Sequence, residues 1–298
     1  MNRGHWYAIG AYGLWGLFPI YWKWLHHVPA VQILCHRIFW SFLSLSVLVL
    51  LSRQGMLFTR AILRPRVWSV YVPAAGLITI NWLTYVWAVN AGFVVETSLG
   101  YFINPLLSVL LGVIFLRERL RPCQWVSVGL AALGILYLTF SHGSLPWIAL
   151  TLAFSWATYG LIKKVAPLGS LHGLTLETGI LLLPVLIYLT YADRVGQGVF
   201  LHSGPATDLL LAAGGLVTTI PLWLFASAVR RIPLSVAGIL QYIAPTIQFL
   251  IGVLVFQEAF SVARFIGFGL VWAALILFGL ESYLMHRTLR RSGVNYVE

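Results

Sequence analysis

Acid is scarce in this sequence: eight Asp and Glu among 298 residues. Charged residues make up 9% of the chain, against about 25% in soluble domains. A water-soluble core of this length would need a charged shell, and so few carboxylates cannot provide one. Cysteine is nearly absent too. Cys35 and Cys123 form no CxxC pair and lie in or beside apolar runs, which excludes a disulfide framework and a thiolate metal site. No HExxH, GxxxxGK[ST] or GxSxG run occurs, and no paired intramembrane aspartates. Without a phosphate-binding loop the chain cannot drive transport with a nucleotide. No cofactor and no metal are expected, and no enzymatic activity.

What is present is apolar: 60% hydrophobic residues with 13 tryptophans and a mean hydropathy of +0.88. Runs of about 20 apolar residues cross a hydrocarbon core of about 30 Å as helices. Ten are predicted, at approximately 5–25, 30–52, 67–91, 93–116, 123–140, 145–163, 171–192, 207–229, 233–256 and 263–285. The first follows Arg3, as a signal peptide would, but it is long, rich in Trp and Tyr, and lacks a small-x-small cleavage site. It is read as retained.

A net charge of +11 would suggest nucleic acid in a soluble protein. Here the cations sit in short connectors rather than on a basic face, so they set topology instead. With the N-terminus inside, fifteen Lys and Arg fall on the cytoplasmic side, Lys163, Lys164, Arg230 and Arg231 among them. Only Lys23, Arg194 and Arg264 fall outside, and Arg37 sits within the second span. Both termini are therefore expected in the cytoplasm.

The chain also repeats. Shifted by 140 residues, 101–118 aligns with 241–258, matching Ile103/Ile243, Pro105/Pro245, Gly112/Gly252, Val113/Val253 and Glu118/Glu258. Five spans per half is an odd number, so the second copy is inserted upside down. The arginines around Glu118 have no counterpart around Glu258, as that inversion requires. The expected fold is an all-α integral membrane protein of ten transmembrane helices in two inverted five-helix repeats, 1–142 and 143–286, with a basic tail at 287–298. Inverted repeats place substrate near the midplane between the halves.

Ten spans as five plus five, the Gly13-x-x-Gly16 turn and the repeated Pro…Gly-Val…Glu resemble the drug/metabolite transporter superfamily, more closely its EamA-type permeases. The opening "GHWYAIGAYGLWGLFPIYWK" and the "ILCHRIFWS" of the second span are similar to the RarD-type branch, the chloramphenicol-sensitivity permeases. The resemblance covers essentially the whole chain. It implies a multi-pass permease of the bacterial inner membrane with a central cavity and spans 5 and 10 at the periphery. It implies little about substrate.

Arg37 and Glu177 are the most informative residues: ionisable groups in mid-span, where each costs several kcal/mol, and 140 residues apart. Either Arg37 holds a substrate anion while Glu177 holds an amine or a proton, or the two form an ion pair that touches no substrate. Beside Arg37, His36 either carries coupling protons or meets lipid headgroups. Pro105 and Pro245 each remove a backbone donor, freeing the carbonyls of Tyr101 and Gln241. They mark expected kinks, with Asn104 and Gln241 as cavity candidates. Asn81 and Tyr85 on span 3, Trp15 on span 1, and Trp156 and Tyr159 on span 6 either line the substrate path or pack. Trp6, Trp22, Trp68, Trp125 and Trp147 read as interfacial anchors. Glu118 and Glu258 read as helix-end residues, and Glu96 as a vestibule residue. Ser127/Ala131 and Gly269/Ala273 would allow close contact, either within the chain or in a homodimer through spans 5 and 10.

The leading expectation is a secondary transporter of a small amphiphilic metabolite or drug, working by alternating access. The alternatives are a flippase for lipid or lipid-linked carriers, which needs a lateral opening, and a non-transporting membrane enzyme or assembly factor. If Glu177 carries the coupling proton, Glu177→Gln loses transport driven by a pH gradient in proteoliposomes. If it is only ion-paired, Glu177→Gln lowers stability and leaves the pH dependence intact.

Overall fold

The computed structural model describes residues 3–52, 55–91, 93–140, 147–255, 257, 266, 269–270 and 272–281. Among these every regular element is a helix: α1 (Arg3–Gly16), α2 (Phe18–Trp24), α3 (Ala30–Leu51), α4 (Gly55–Ile62), α5 (Pro65–Asn90), α6 (Val94–Leu116), α7 (Pro122–Phe140), α8 (Trp147–Val165), α9 (Ser170–Arg194), α10 (Pro205–Val229), α11 (Leu234–Leu240) and α12 (Ile243–Leu254). A further apolar helix runs Trp272–Glu281. Six helices are long and apolar enough to cross a membrane, and Pro122–Tyr137 and Trp272–Glu281 are shorter apolar ones. This is a multi-pass membrane protein. Large apolar side chains face outward along its helices, as lipid requires, Leu50, Phe115, Leu133, Leu183 and Leu209 among them.

Two expected spans are broken. The first divides between α1 and α2 at Leu17, because Pro19 in the first turn of α2 cannot donate to the carbonyl four residues back. That carbonyl belongs to Trp15, and the Gln248 side-chain amide of α12 fills the vacancy at 3.1 Å. The ninth divides between α11 and α12 at Gln241 and Tyr242. Pro245 therefore lies in the first turn of α12, where it disturbs nothing, and the Gln241 carbonyl accepts from Ala244 N–H at 3.1 Å. The expected free carbonyl at Gln241 is not there. Pro105 sits inside an uninterrupted α6.

Helices approach closely where side chains vanish. A methyl added at Gly215 of α10 would lie 2.5 Å from the Trp40 backbone of α3, and Ser41 Oγ donates to the Gly215 carbonyl at 3.0 Å. A methyl at Gly238 of α11 would meet the Pro105 carbonyl of α6 at 2.8 Å. Close backbone approach through glycine is how helices pack tightly in lipid. Beside that contact Tyr242 Oη donates to the Phe102 carbonyl at 3.2 Å, across 140 residues. α3 and α9 run antiparallel against each other: Leu34 and Ile38 cluster with Val185, Gly179 lies on Phe42, and Leu45 clusters with Leu174. The stripe Ser127/Ala131 is buried within the chain, Ala131 in one cluster with Ala274 and Phe278.

Removing the amide at Gln248 leaves a carbonyl in a water-poor interior without its donor. Gln248→Leu is expected to lower stability by about 1–3 kcal/mol, and Gly215→Ala by more, because backbone rather than a side-chain tip must move. Thermal unfolding in detergent checks both.

Candidate functional site

Arg37 and Glu177 are each the eighth residue of their helices, α3 and α9. The antiparallel packing of those helices sets them on opposite sides of the crossing, displaced along the axes by roughly 9 Å at 1.5 Å per residue. They do not pair. Lys163 Nζ of α8 lies 2.7 Å from Glu177 Oε1, both side chains being 2–3% exposed, and Tyr159 Oη donates to Glu177 Oε2 at 2.9 Å. Glu177 is thus bonded through both oxygens. Lys163, placed by the sequence in a cytoplasmic connector, is buried with its ammonium near the rings of Tyr71 and Tyr159.

Arg37 has different company. Its guanidinium carbon lies 4.7 Å from the Trp22 ring, 5.2 Å from Trp82 and 6.0 Å from Phe18. Nε donates to Thr218 Oγ1 of α10 at 2.8 Å. Trp22 and Phe18 ride on α2, so the break at Leu17 is what turns these rings onto the cation. Trp22, expected as an interfacial anchor, is instead part of this cage. Cation–π contacts contribute about 0.5–2 kcal/mol each, which offsets part of the cost of a buried arginine but supplies no counter-charge. None of the described carboxylates does so either. Glu118 accepts from the backbone N–H groups of Leu234 and Ser235 at 2.6 and 2.9 Å, capping α11 as a helix-end residue should. Glu281 pairs with Arg121, Asp208 accepts from Leu201 N–H, and Asp193 faces His202.

Trp82 connects the cage to a packed aromatic centre. Trp15 and Trp156 meet edge to face at 5.2 Å, and Tyr12, Tyr159 and Phe225 close around them at 5.2–6.3 Å. Leu45, Leu174 and Leu222 join Trp15, Trp82 and Trp156 in a cluster. A continuous column therefore runs from Arg37 through Trp82 and the tryptophan pair to Tyr159 and the Glu177–Lys163 pair. Trp15, Trp156 and Tyr159 are brought together as core. Tyr85 stands by the cation, with Tyr101 at 5.9 Å from its ring.

Other candidates are placed elsewhere. Asn81 is buried and donates to the Leu152 carbonyl and Ser155 Oγ at 2.9 and 3.0 Å, so it ties α5 to α8 rather than facing a ligand. Asn104 and Gln241 are buried near the crossing of α6 with α11, and Asn104 Oδ1 has no hydrogen-bond partner among the described residues. His36 is buried against the Phe200 ring at 5.0 Å, not at a headgroup. Trp223 is 44% exposed on the outer face. The side chain of Glu96, and Glu258 entirely, lie outside the described residues. A cavity of about 370 Å³ opens outward between α5 and α8, lined by Leu77, Ile80, Leu150, Thr151, Phe154, Ser155 and Thr158. It holds no charged residue.

Thr218, Phe18 and Lys163 were not legible as partners. They meet Arg37 and Glu177 from other helices.

A model of the EamA-like transporter family matches residues 2–140 and again 145–280. Protein RarD of Streptomyces exfoliatus is 50% identical over 287 residues, 96% of this chain and 90% of its own length. Uncharacterized transporter YojE of Bacillus subtilis (strain 168) is 47% identical over 281 residues, 93% of each chain. A solved structure described only as "Crystal structure of protein" superposes with a TM-score of 0.70 at 20% identity, covering 93% of this chain and 97% of its own. That likeness concerns the fold alone.

Breaking a buried ion pair strands the surviving charge, at a cost of about 3–5 kcal/mol. Glu177→Gln and Lys163→Met are each expected to lose about that much stability, and the double variant to recover most of it. A double-mutant cycle on unfolding checks this.

Proposed function

We propose that this chain, which belongs to the EamA-like transporter family, moves a small amphiphilic metabolite or drug across the bacterial inner membrane by alternating access of two inverted halves. The observation that carries the reading is Arg37: a cation held inside the helix bundle by rings and a hydroxyl, with no carboxylate of its own among the described residues. A bilayer protein keeps such a group where it serves passage. Trp82 and Tyr85 give the same site an apolar wall, which suits an amphiphile.

Several contacts support the inverted arrangement of 1–142 and 143–286. An inverted pair of equivalent helices must cross antiparallel at positions one repeat apart. Tyr242 meets Phe102 at an offset of 140, Trp15 meets Trp156 within one residue of it, and α3 crosses α9 near the same offset. All three are what a two-fold axis through the tryptophan pair requires. The distribution of Lys and Arg supports cytoplasmic termini even with Lys163 removed from the count. A homodimer through spans 5 and 10 would use the outward face of α7, Val126 and Leu133 included, since Ser127 and Ala131 are occupied within the chain.

Proton coupling through Glu177 in competition with Arg37 finds no support, because Lys163 and Tyr159 hold that carboxylate. The pair reads as a strut joining α8 to α9. The flippase reading is weakened by the outward cavity between α5 and α8, which carries no charged residue to hold a lipid headgroup.

Purified protein in proteoliposomes is expected to exchange at least one compound from a panel of labelled amphiphilic metabolites and drugs, saturably. Losing the charged hydrogen bonds of Arg37 costs about 1.5–3 kcal/mol, so Arg37→Ala should slow that exchange about tenfold or more. A panel in which nothing moves overturns the proposal; an Arg37→Ala variant as fast as the parent removes Arg37 from the substrate path.

A further inference from the structure

The charge inventory of the site restricts what it can carry. The column from Arg37 to Glu177 contains two cations and one anion. Glu177 is neutralised by Lys163 at 2.7 Å and bonded by Tyr159, so neither Glu177 nor Lys163 has charge left to offer a ligand. Arg37 alone is unbalanced. The other described carboxylates are bound at Leu234 and Ser235, at Arg121, at Leu201 and beside His202.

Geometry narrows this further. A guanidinium is a planar fork of five donors. The cation's neighbours Trp22 and Trp82 are rings that accept no conventional hydrogen bond, and Thr218 takes Nε. No bond from the two terminal nitrogens to protein occurs among the described residues. Those two nitrogens form the end-on edge that matches the two oxygens of a carboxylate. A doubly charged phosphate would need a second free cation, and an amine would need a free carboxylate. Neither is at hand.

We propose, resting on the transporter reading above, that the substrate is an organic monocarboxylate with an apolar or aromatic body. Its carboxylate forks onto the terminal nitrogens of Arg37, and its body lies along Trp82 and Tyr85. Zwitterions, amines and neutral analogues are discriminated against because only one charge at this site is unbalanced. Thr218 is a positioning residue: by holding Nε it fixes the plane in which the fork points, and Gly215, where a methyl would lie 2.5 Å from the Trp40 backbone, lets α10 come near enough to α3 to place it.

Four probes of one body test this: 3-phenylpropionate, phenylalanine, 2-phenylethylamine and 3-phenylpropanol. Binding to the purified full-length protein is read by thermal shift and by titration calorimetry at millimolar ligand. 3-Phenylpropionate is expected to bind at least about tenfold more tightly than the other three. Arg37→Gln should remove that preference, and Arg37→Lys should retain a weakened part of it, since the charge survives without the fork. Thr218→Val should narrow the preference for 3-phenylpropionate over 3-phenylpropanol, a change of selectivity that a loss of stability alone would not produce, and Thr218→Ser, which keeps the hydroxyl, should restore it. Equal or tighter binding of phenylalanine or 2-phenylethylamine overturns the proposal, as does a preference that survives Arg37→Gln, or no binding by any probe. The transporter reading fails separately, if proteoliposomes exchange nothing from a wider panel. A cation or neutral compound moved independently of Arg37 would sink the carboxylate proposal and leave transport standing.

Discussion

A half-buried guanidinium with no counter-ion among the described residues is the constraint around which the rest of the molecule is arranged. Arg37 can sit inside the bundle only if something other than water stabilises it, and three separate features of the fold supply that. Pro19 breaks the first span, so that α2 turns Phe18 and Trp22 over the cation. Gly215 on α10 lets that helix close on α3, so that Thr218 reaches Nε. Trp82 on α5 provides the remaining face and passes the contact on to the aromatic centre. The break itself is stable because Gln248 serves the carbonyl that Pro19 abandons. Each feature would be a defect alone; together they hold one charge in a place where it can act.

The two halves share a plan and differ in chemistry. At repeat-equivalent positions one carries a cation in an aromatic cage and the other a carboxylate locked to a lysine. The first uses only its Nε in a protein hydrogen bond among the described residues, and the second has both oxygens bonded. Between them the tryptophan pair lies where a two-fold axis would pass. An element that joins both halves there can move with either, which is what exposure first to one side and then to the other demands. The ends of α8 and α10 are held by Lys164 and Arg230, which donate to the carbonyls of Val229, Ile232, Ala166 and Leu168. Cations set to hold topology thus also satisfy helix C-termini.

Much of the fold was legible because lipid imposes a coarse rule on sequence. Apolar runs gave α3, α5, α6, α9 and α10 within a few residues. The breaks at Leu17 and Gln241 were not legible, since apolar residues continue through both, and Pro245 marks a first turn rather than a kink. At the site, Arg37 and Glu177 stood out by cost alone, but their partners did not. Lys163 and Trp22 come from the helices just before α9 and α3 and Thr218 from one 181 residues away, and no spacing encodes which helix face meets which. Asn81 looked like a ligand contact and serves instead as a bond between α5 and α8, because a buried amide in lipid must find a partner somewhere.

The central claim is that the space beside Arg37 is reached from each side of the membrane in turn. The most direct measurement is thiol labelling after Thr218→Cys in a background where Cys35 and Cys123 are replaced by serine or alanine. A membrane-impermeant maleimide is applied to right-side-out and to inside-out vesicles. The account predicts labelling in both orientations, slowed in both by 3-phenylpropionate. Labelling from one side only, or in neither orientation, would contradict it.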